Sequence, residues 1–195
     1  MINHLDGKLI AKHPTHLVIE CAGVGYVVHI SLFTYTKISD SERCKVYTHL
    51  SIKEDAHTLF GFFDEEERQL FRHLISVSGI GANTARMMLS SLSPTEIQQA
   101  IVNGNAAVLQ NIKGIGAKTA LRAIIELKDK LGKASGMVAT STNLSFNKTK
   151  EEALVALTTL GFVKNSAEKV IDQIVRRNGD GITVEQLIKE ALKAL

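Results

Sequence analysis

Ser78-Gly79-Ile80-Gly81-Ala82-Asn83-Thr84-Ala85 returns further along the chain as Lys113-Gly114-Ile115-Gly116-Ala117-Lys118-Thr119-Ala120. The glycines, the isoleucine, the threonine and the flanking alanines stand in register. A single Gly-x-Gly marks little more than a turn, but one pattern written twice in a chain is a structural unit used twice. Helical periodicity flanks both copies. Leu70, Phe71, Leu74 and Ile75 precede the first, after the acidic run Asp64-Glu65-Glu66-Glu67, which suits the positive end of a helix. Thr84 to Leu92 follows it. Ser93-Pro94-Thr95-Glu96 then reads as a capping box that starts a helical segment ending near Ile112, and Thr119 to about Leu131 is the helix after the second copy. The order is helix, Gly-Ile-Gly, helix, twice over.

This unit suits a phosphate diester. Glycine permits a sharp hairpin and a backbone approach unobstructed by Cβ, so amides near Gly79 and Gly81, or Gly114 and Gly116, can point outward together. The helix that begins just beyond adds its unpaired N–H groups and its dipole. Asn83, Thr84 and Thr119 offer polar side chains, and Lys118 and Arg122, four residues apart, add charge on one helical face. Ile80 and Ile115 are expected to fill the hairpins' own core. From Gly79 to Lys133 the bases Arg86, Lys113, Lys118, Arg122, Lys128, Lys130 and Lys133 outnumber Glu96, Glu126 and Asp129. The net charge of +3 is therefore uninformative while its distribution points to nucleic acid. The chain has no Trp, and no aromatic platform accompanies the motifs, which favours duplex backbone over stacked single strands.

Upstream, residues 1–63 read as β structure. Val18–Cys21 leads through Ala22-Gly23-Val24-Gly25 into Tyr26–Ile30, a hairpin with glycines at the bend. Lys45–Ile52 and His57–Phe63 form a second pair around the polar turn Lys53-Glu54-Asp55-Ala56. Short strands with no room for intervening helices predict a small closed barrel. Downstream, residues 132–148 read as a flexible linker of Gly, Ala, Ser, Thr, Asn and Lys. Residues 149–195 carry three amphipathic helices. Thr149-x-x-Glu152 opens the first, with Leu154, Leu157 and Leu160, and Gly161 stops it. Ala167, Val170, Ile171, Ile174 and Val175 stripe the second. The box Thr183-x-x-Gln186 opens the third, with Val184, Leu187, Ile188, Ala191, Leu192 and Leu195.

Several classes of function are disfavoured. A Rossmann site needs a strand before its glycines and a ribose-binding acid after them, and a Walker loop needs a different spacing. The cysteines, Cys21 and Cys44, stand singly in strand-like surroundings. His13 and His16 are close, but Pro14 breaks any helix that would align them. No metal, cofactor or catalytic residue is expected. The N-terminus lacks the apolar run of a signal peptide, no stretch is apolar enough to span a bilayer, and a cytoplasmic protein is expected.

The domain order, together with Gly23-Val24-Gly25-Tyr26, Glu54-Asp55-Ala56, Leu59-Phe60-Gly61-Phe62 and both hairpins, closely resembles the RuvA family of bacterial Holliday-junction-binding proteins. That resemblance covers the whole chain. It implies an α+β protein: an OB-like barrel over 1–63 that forms a homotetramer, a tandem helix-hairpin-helix DNA-binding domain over 64–131, the linker, and a UBA-like three-helix domain over 149–195. It further implies that the tetramer holds four-way junction DNA, that Glu54 and Asp55 form an acidic pin at its centre, and that the last domain recruits the RuvB ATPase. A RuvC resolvase in the same complex, and roles in recombination, DNA repair and the SOS response, belong to the same expectation. Many members of the family carry a basic residue where this chain has Asn83 and His4, so the first hairpin is expected to hold DNA less strongly than the second. Two rivals stay open: a generic helix-hairpin-helix duplex binder, and a helix-hairpin-helix DNA glycosylase drawing on Lys128 or Asp129.

Overall fold

A computed structural model describes residues 2–135, 144–178 and 182–195. The chain divides into two compact units, Met1–Met137 and Val138–Leu195.

The first unit begins with five strands: β1 (His4–His13), β2 (His16–Cys21), β3 (Val24–Ile30), β4 (Arg43–Ile52) and β5 (His57–Phe62). They close into a barrel in the order β1-β2-β3-β5-β4, antiparallel throughout except for the β3–β5 pair. Alternation explains the barrel. Leu17, Ile19, Val28, Ile30, Val46 and Leu59 fill its interior, while the residues between them face outward. The β2–β3 bend is the two-residue turn Ala22-Gly23, both at positive φ, and Gly25 lies inside β3 rather than at the bend. The β4–β5 turn falls at residues 53–56 as expected, closed by Lys53 N–H donating to the Ala56 carbonyl at 2.9 Å.

The barrel contains a helix that the sequence reading excluded. Helix α1 (Leu32–Lys37) lies between β3 and β4. Its residues, Phe33, Thr34, Tyr35 and Thr36 among them, carry strand-like chemistry, and one turn and a half has little propensity of its own. Long-range support supplies the difference. Ser31 caps the helix by accepting from Thr34 N–H, and its hydroxyl donates to Glu67 Oε1 at 2.5 Å. Thr34 Oγ1 donates to Glu67 Oε2 at 2.5 Å, and Phe63 N–H donates to the same oxygen at 3.1 Å.

Glu67 belongs to α2 (Glu65–Ile75), capped by Asp64, whose carboxylate accepts from Glu67 N–H at 2.7 Å. The acidic run is thus divided in function: Asp64 caps, whereas Glu67 is fully buried as the strut between helix and barrel. Burial raises its pKa, against the pull of the Ser31, Thr34 and Phe63 donors. Arg68, also buried, donates from Nη1 to the Asn3 carbonyl and to Asn3 Oδ1, both at 2.6 Å, pairs with Glu65, and stacks over Tyr47. Phe71 completes the seam, with ring centroids 4.8 Å from Phe62, 5.3 Å from Phe60 and 5.4 Å from His49.

Four further helices surround the core of Leu74, Val77, Ile80, Met88, Ile97, Leu109, Ile112, Ile115 and Leu127. These are α3 (Ala82–Ser91), α4 (Pro94–Val102), α5 (Ala106–Gln110) and α6 (Ala117–Ser135). The Ser93/Glu96 capping box is present. The helical segment expected to run on to Ile112 is instead broken at Asn103-Gly104-Asn105, where Gly104 takes a φ of +71° and Asn105 caps α5.

The second unit packs α7 (Leu144–Thr159), α8 (Lys164–Asn178) and α9 (Val184–Ala194) around Ala153, Leu157, Ala167, Ile171, Leu187 and Ala191. Three details correct the sequence reading. Thr149 lies inside α7 rather than capping it, because the backbone is already helical from Leu144 and a Thr-x-x-Glu pattern caps only where the chain enters a helix. Leu160, Leu192 and Leu195 are exposed, whereas Ala191 is buried as expected and Ala153, outside the expected stripe, is buried with it. Leu160 leaves the stripe because Gly161, at φ +99°, ends the helix: Phe162 N–H returns to the Leu157 carbonyl and Gly161 N–H to that of Thr158. Of the stretch read as a linker, 132–135 continue α6 and 144–148 begin α7; residues 136–143 lie outside the described residues.

His49 lies in the seam beside Phe71, its Nδ1 buried without a partner, and burial with Arg72 and Arg68 lowers its pKa from 6.5. The lowered pKa favours the neutral form of His49 in the folded chain relative to the unfolded one, so its contribution to stability is present above pH 6.5 and is lost as pH falls below that value. Denaturant unfolding of His49→Leu is expected to show a smaller loss of stability between pH 7 and 5 than the parent chain, within about that window. Parallel losses in both chains would contradict it.

Candidate nucleic-acid interface

The two Gly-Ile-Gly segments fold alike, bond for bond. Ile80 N–H donates to the Val77 carbonyl and Ile115 N–H to that of Ile112, each at 3.0 Å; Ala85 N–H reaches Gly81 O and Ala120 N–H reaches Gly116 O, each at 2.9 Å. Gly79 and Gly114 take φ of +97° and +94°. Both first glycines are thus demanded by the turn, since this region costs an L-residue about 1–2 kcal/mol. Ile80 and Ile115 are buried, as expected, and anchor each hairpin to the core.

The second glycines are a different matter. Gly81 has an extended conformation, φ −84° and ψ 169°, that any residue adopts. A Cβ added at Gly81 or Gly116 would meet nothing within 4 Å. The fold therefore requires glycine at neither position, and the space before α3 and α6 is clear. Gly81 caps α3 with no side-chain hydrogen bond, which leaves the N–H groups of Ala82, Asn83 and Thr84 without intrahelical acceptors. Donors, dipole and open approach coincide there, the combination that receives a phosphate.

The hairpins also face each other. A Cβ on Gly79 would lie 3.6 Å from Thr119 Oγ1, and one on Gly114 would lie 3.9 Å from Thr84 Cγ2. Each first glycine rests against the other hairpin's threonine, so the duplication is a reciprocal pair. Thr84 and Thr119 are half-buried in this contact, whereas Asn83 and Lys118 are exposed beside it. Arg122 reaches across: its Nη1 donates to the Ser78 carbonyl at 3.2 Å, and its Nε lies 4.0 Å from Glu126. This brace is absent from the sequence pattern, because nothing local connects Arg122 with Ser78. Arg86 makes a second unforeseen link, donating to the Thr15 carbonyl of the β1–β2 turn at 3.1 Å.

Glu54 and Asp55 are exposed at the β4–β5 turn, a feature separate from the hairpins. Lys128 and Asp129, the residues a glycosylase would draw on, are exposed neighbours on α6. Cys21 and Cys44 are free thiols. Among the described residues no group of three or more His, Cys, Asp or Glu could hold a metal ion, and no helix is long and apolar enough to cross a membrane.

A closed barrel fused to reciprocal Gly-Ile-Gly hairpins defines a tandem helix-hairpin-helix protein of the DNA-binding class. Family models agree: the RuvA N terminal domain matches residues 1–61, the SAM-like helix-hairpin-helix tandem residues 71–129, and the RuvA C-terminal domain residues 149–195. The chain is 53% identical to the Holliday junction branch migration complex subunit RuvA of Christiangramia forsetii and 52% identical to that of Flavobacterium psychrophilum, over the full length of both partners in each case. It is 47% identical to the same subunit of Cytophaga hutchinsonii, over 99% of each chain. The chain belongs to the RuvA family.

The two glycine classes predict different stabilities. Gly79→Ala and Gly114→Ala are each expected to cost about 1–2 kcal/mol in denaturant unfolding, and Gly81→Ala and Gly116→Ala less than about 0.5 kcal/mol. Equal costs at all four positions would remove the distinction.

Proposed function

We propose that this chain is the DNA-recognising subunit of a branch-migration complex, a non-catalytic protein that binds four-way junctions and leaves ATP hydrolysis to a RuvB motor. The observation that carries the reading is the pair of facing hairpins with second glycines for which the fold has no use. In this reading Gly79, Ile80, Gly81, Gly114, Ile115 and Gly116 contribute backbone rather than side chains. Asn83 and Lys118 stand beside the phosphates, Thr84 and Thr119 hold the hairpins together, and Arg122 both braces Ser78 and adds charge. The second hairpin, with Lys118 where the first has Asn83, supplies more of the attraction.

One pair of hairpins makes few contacts, so a useful affinity needs repetition. A homotetramer built on the barrel, residues 1–63, would present four hairpin domains, residues 64–131, to four DNA arms, and linked sites gain about 10²–10⁴-fold without any new contact. Glu54 and Asp55 would then gather near the crossing, where carboxylates repel phosphates and disfavour re-pairing. Residues 149–195, joined through 132–148, would recruit the motor, and a RuvC resolvase would share the junction. The names of the relatives, each a branch migration complex subunit, support the DNA and motor partners. A cytoplasmic location follows from that role.

Comparing a four-way junction with a linear duplex at matched salt tests this directly. Junction binding is expected to be tighter by about 100-fold or more and to weaken steeply with salt; equal affinities would leave only a generic duplex binder. Replacing Glu54 and Asp55 by Lys is expected to tighten static junction binding while altering motor-driven branch migration. Unchanged values for both would remove the pin.

A further inference from the structure

The β1–β2 turn carries an arrangement for which DNA binding has no use. Pro14 does exclude a helix there, but the strands align the two histidines by another route. His13 and His16 are the cross-strand pair that closes the turn Pro14-Thr15. Such pairs project from one face of the ladder with Cβ atoms about 4.5–5.5 Å apart. The rings stack with centroids 4.7 Å apart and planes inclined by 27°. Leu17 and Ile19 are buried inside the barrel, which puts His16 and its partner on the outside. His13 is exposed and His16 half-buried, so the pair borders solvent.

The ordinary explanation is a stacked aromatic pair covering a turn. The hydrogen bonding argues for more. His16 Nδ1 lies 3.1 Å from Thr15 Oγ1, which orients the ring; in the tautomer whose Nδ1–H donates to that hydroxyl oxygen, Nε2 carries the lone pair, as in an imidazole ligand oriented by a neighbouring oxygen. Zinc requires ligand nitrogens at roughly 2.0–2.1 Å, so the stacked rings would have to turn out of their stack to share one ion. His29 is the next residue of the same row, paired with His16 across β2 and β3. Among the described residues no third His, Cys, Asp or Glu converges, so water completes the coordination. Arg86, donating to the Thr15 carbonyl, holds the turn but opposes a cation, which keeps affinity moderate.

We propose that His13 and His16 form a two-imidazole site for a divalent transition-metal ion of the zinc, copper or nickel class. The ion would clip the ends of β1 and β2 together beside Thr15, the residue through which Arg86 ties α3 to the barrel. Binding there would stabilise the turn that holds the first hairpin's helix, so the site adjoins the DNA-binding unit without forming part of it.

Calorimetric titration of Zn²⁺ into the untagged full-length protein at neutral pH tests the site. One ion per chain is expected. Loss of even a ligand's hydrogen-bond partner costs about 10–100-fold in metal affinity, so His13→Ala and His16→Ala should each weaken binding by about ten-fold or more. His4→Ala and His57→Ala should leave it unchanged. In the parent chain the ring-proton resonances of His13 and His16 should move together during the titration. Absence of saturable binding, binding retained in both His13→Ala and His16→Ala, or shifts confined to other histidines would each overturn the proposal.

Discussion

The DNA-binding role proposed for this chain depends on the way its two hairpins face each other. Gly79 and Gly114 take backbone angles that only glycine adopts cheaply, and each then rests against the threonine of the opposite motif. The helices that share their core, α2 and α4, seat α3 and α6 and so hold the two hairpins side by side. Arg122 reinforces that arrangement from one side only, since the corresponding position after the first motif is Met87. The repeat is therefore symmetric in backbone and asymmetric in chemistry.

The barrel is joined to this unit by buried polar groups as well as by apolar packing. Glu67 holds α1 and the end of β5, and Arg68 holds the N-terminal residues, so consecutive side chains of α2 grip two sides of the barrel. Buried charges contribute little net stability compared with apolar groups of the same shape, but removing one partner costs about 3–5 kcal/mol. Such groups penalise any other seating of the helix. A DNA-binding pair carried on a barrel needs that fixed seating if several copies are to meet several arms at once.

Much of this was legible in the sequence. The repeat, the capping boxes at Ser93 and Thr183, and the short runs of strand-forming residues between turns in β2 through β5 depend on neighbours within a few residues, and each led to the right element. What was missed depends on distant partners. Helix α1 forms because Glu67 supports it, the break before α5 needs a positive φ at Gly104, and Thr149 fails as a cap because the preceding residues are already helical. At the candidate site the glycines, Asn83 and Lys118 were readable as positions. The turned-in threonines, the Arg122 brace and the division of the glycines into turn-forming and space-keeping pairs were not. Each of these is a relation between the two copies, and sequence spacing carries no information about which faces meet.

In the proposed role Gly81 and Gly116 stay small for a bound phosphate backbone and not for the fold. The affinity of the doubly substituted chain, Gly81→Ala with Gly116→Ala, for a four-way junction tests it most directly, measured beside its unfolding midpoint. The expected result is an unfolding midpoint close to that of the parent chain with junction binding weakened by about 10-fold or more, the equivalent of roughly 1.4 kcal/mol. Parent-like affinity in a folded double variant would contradict it.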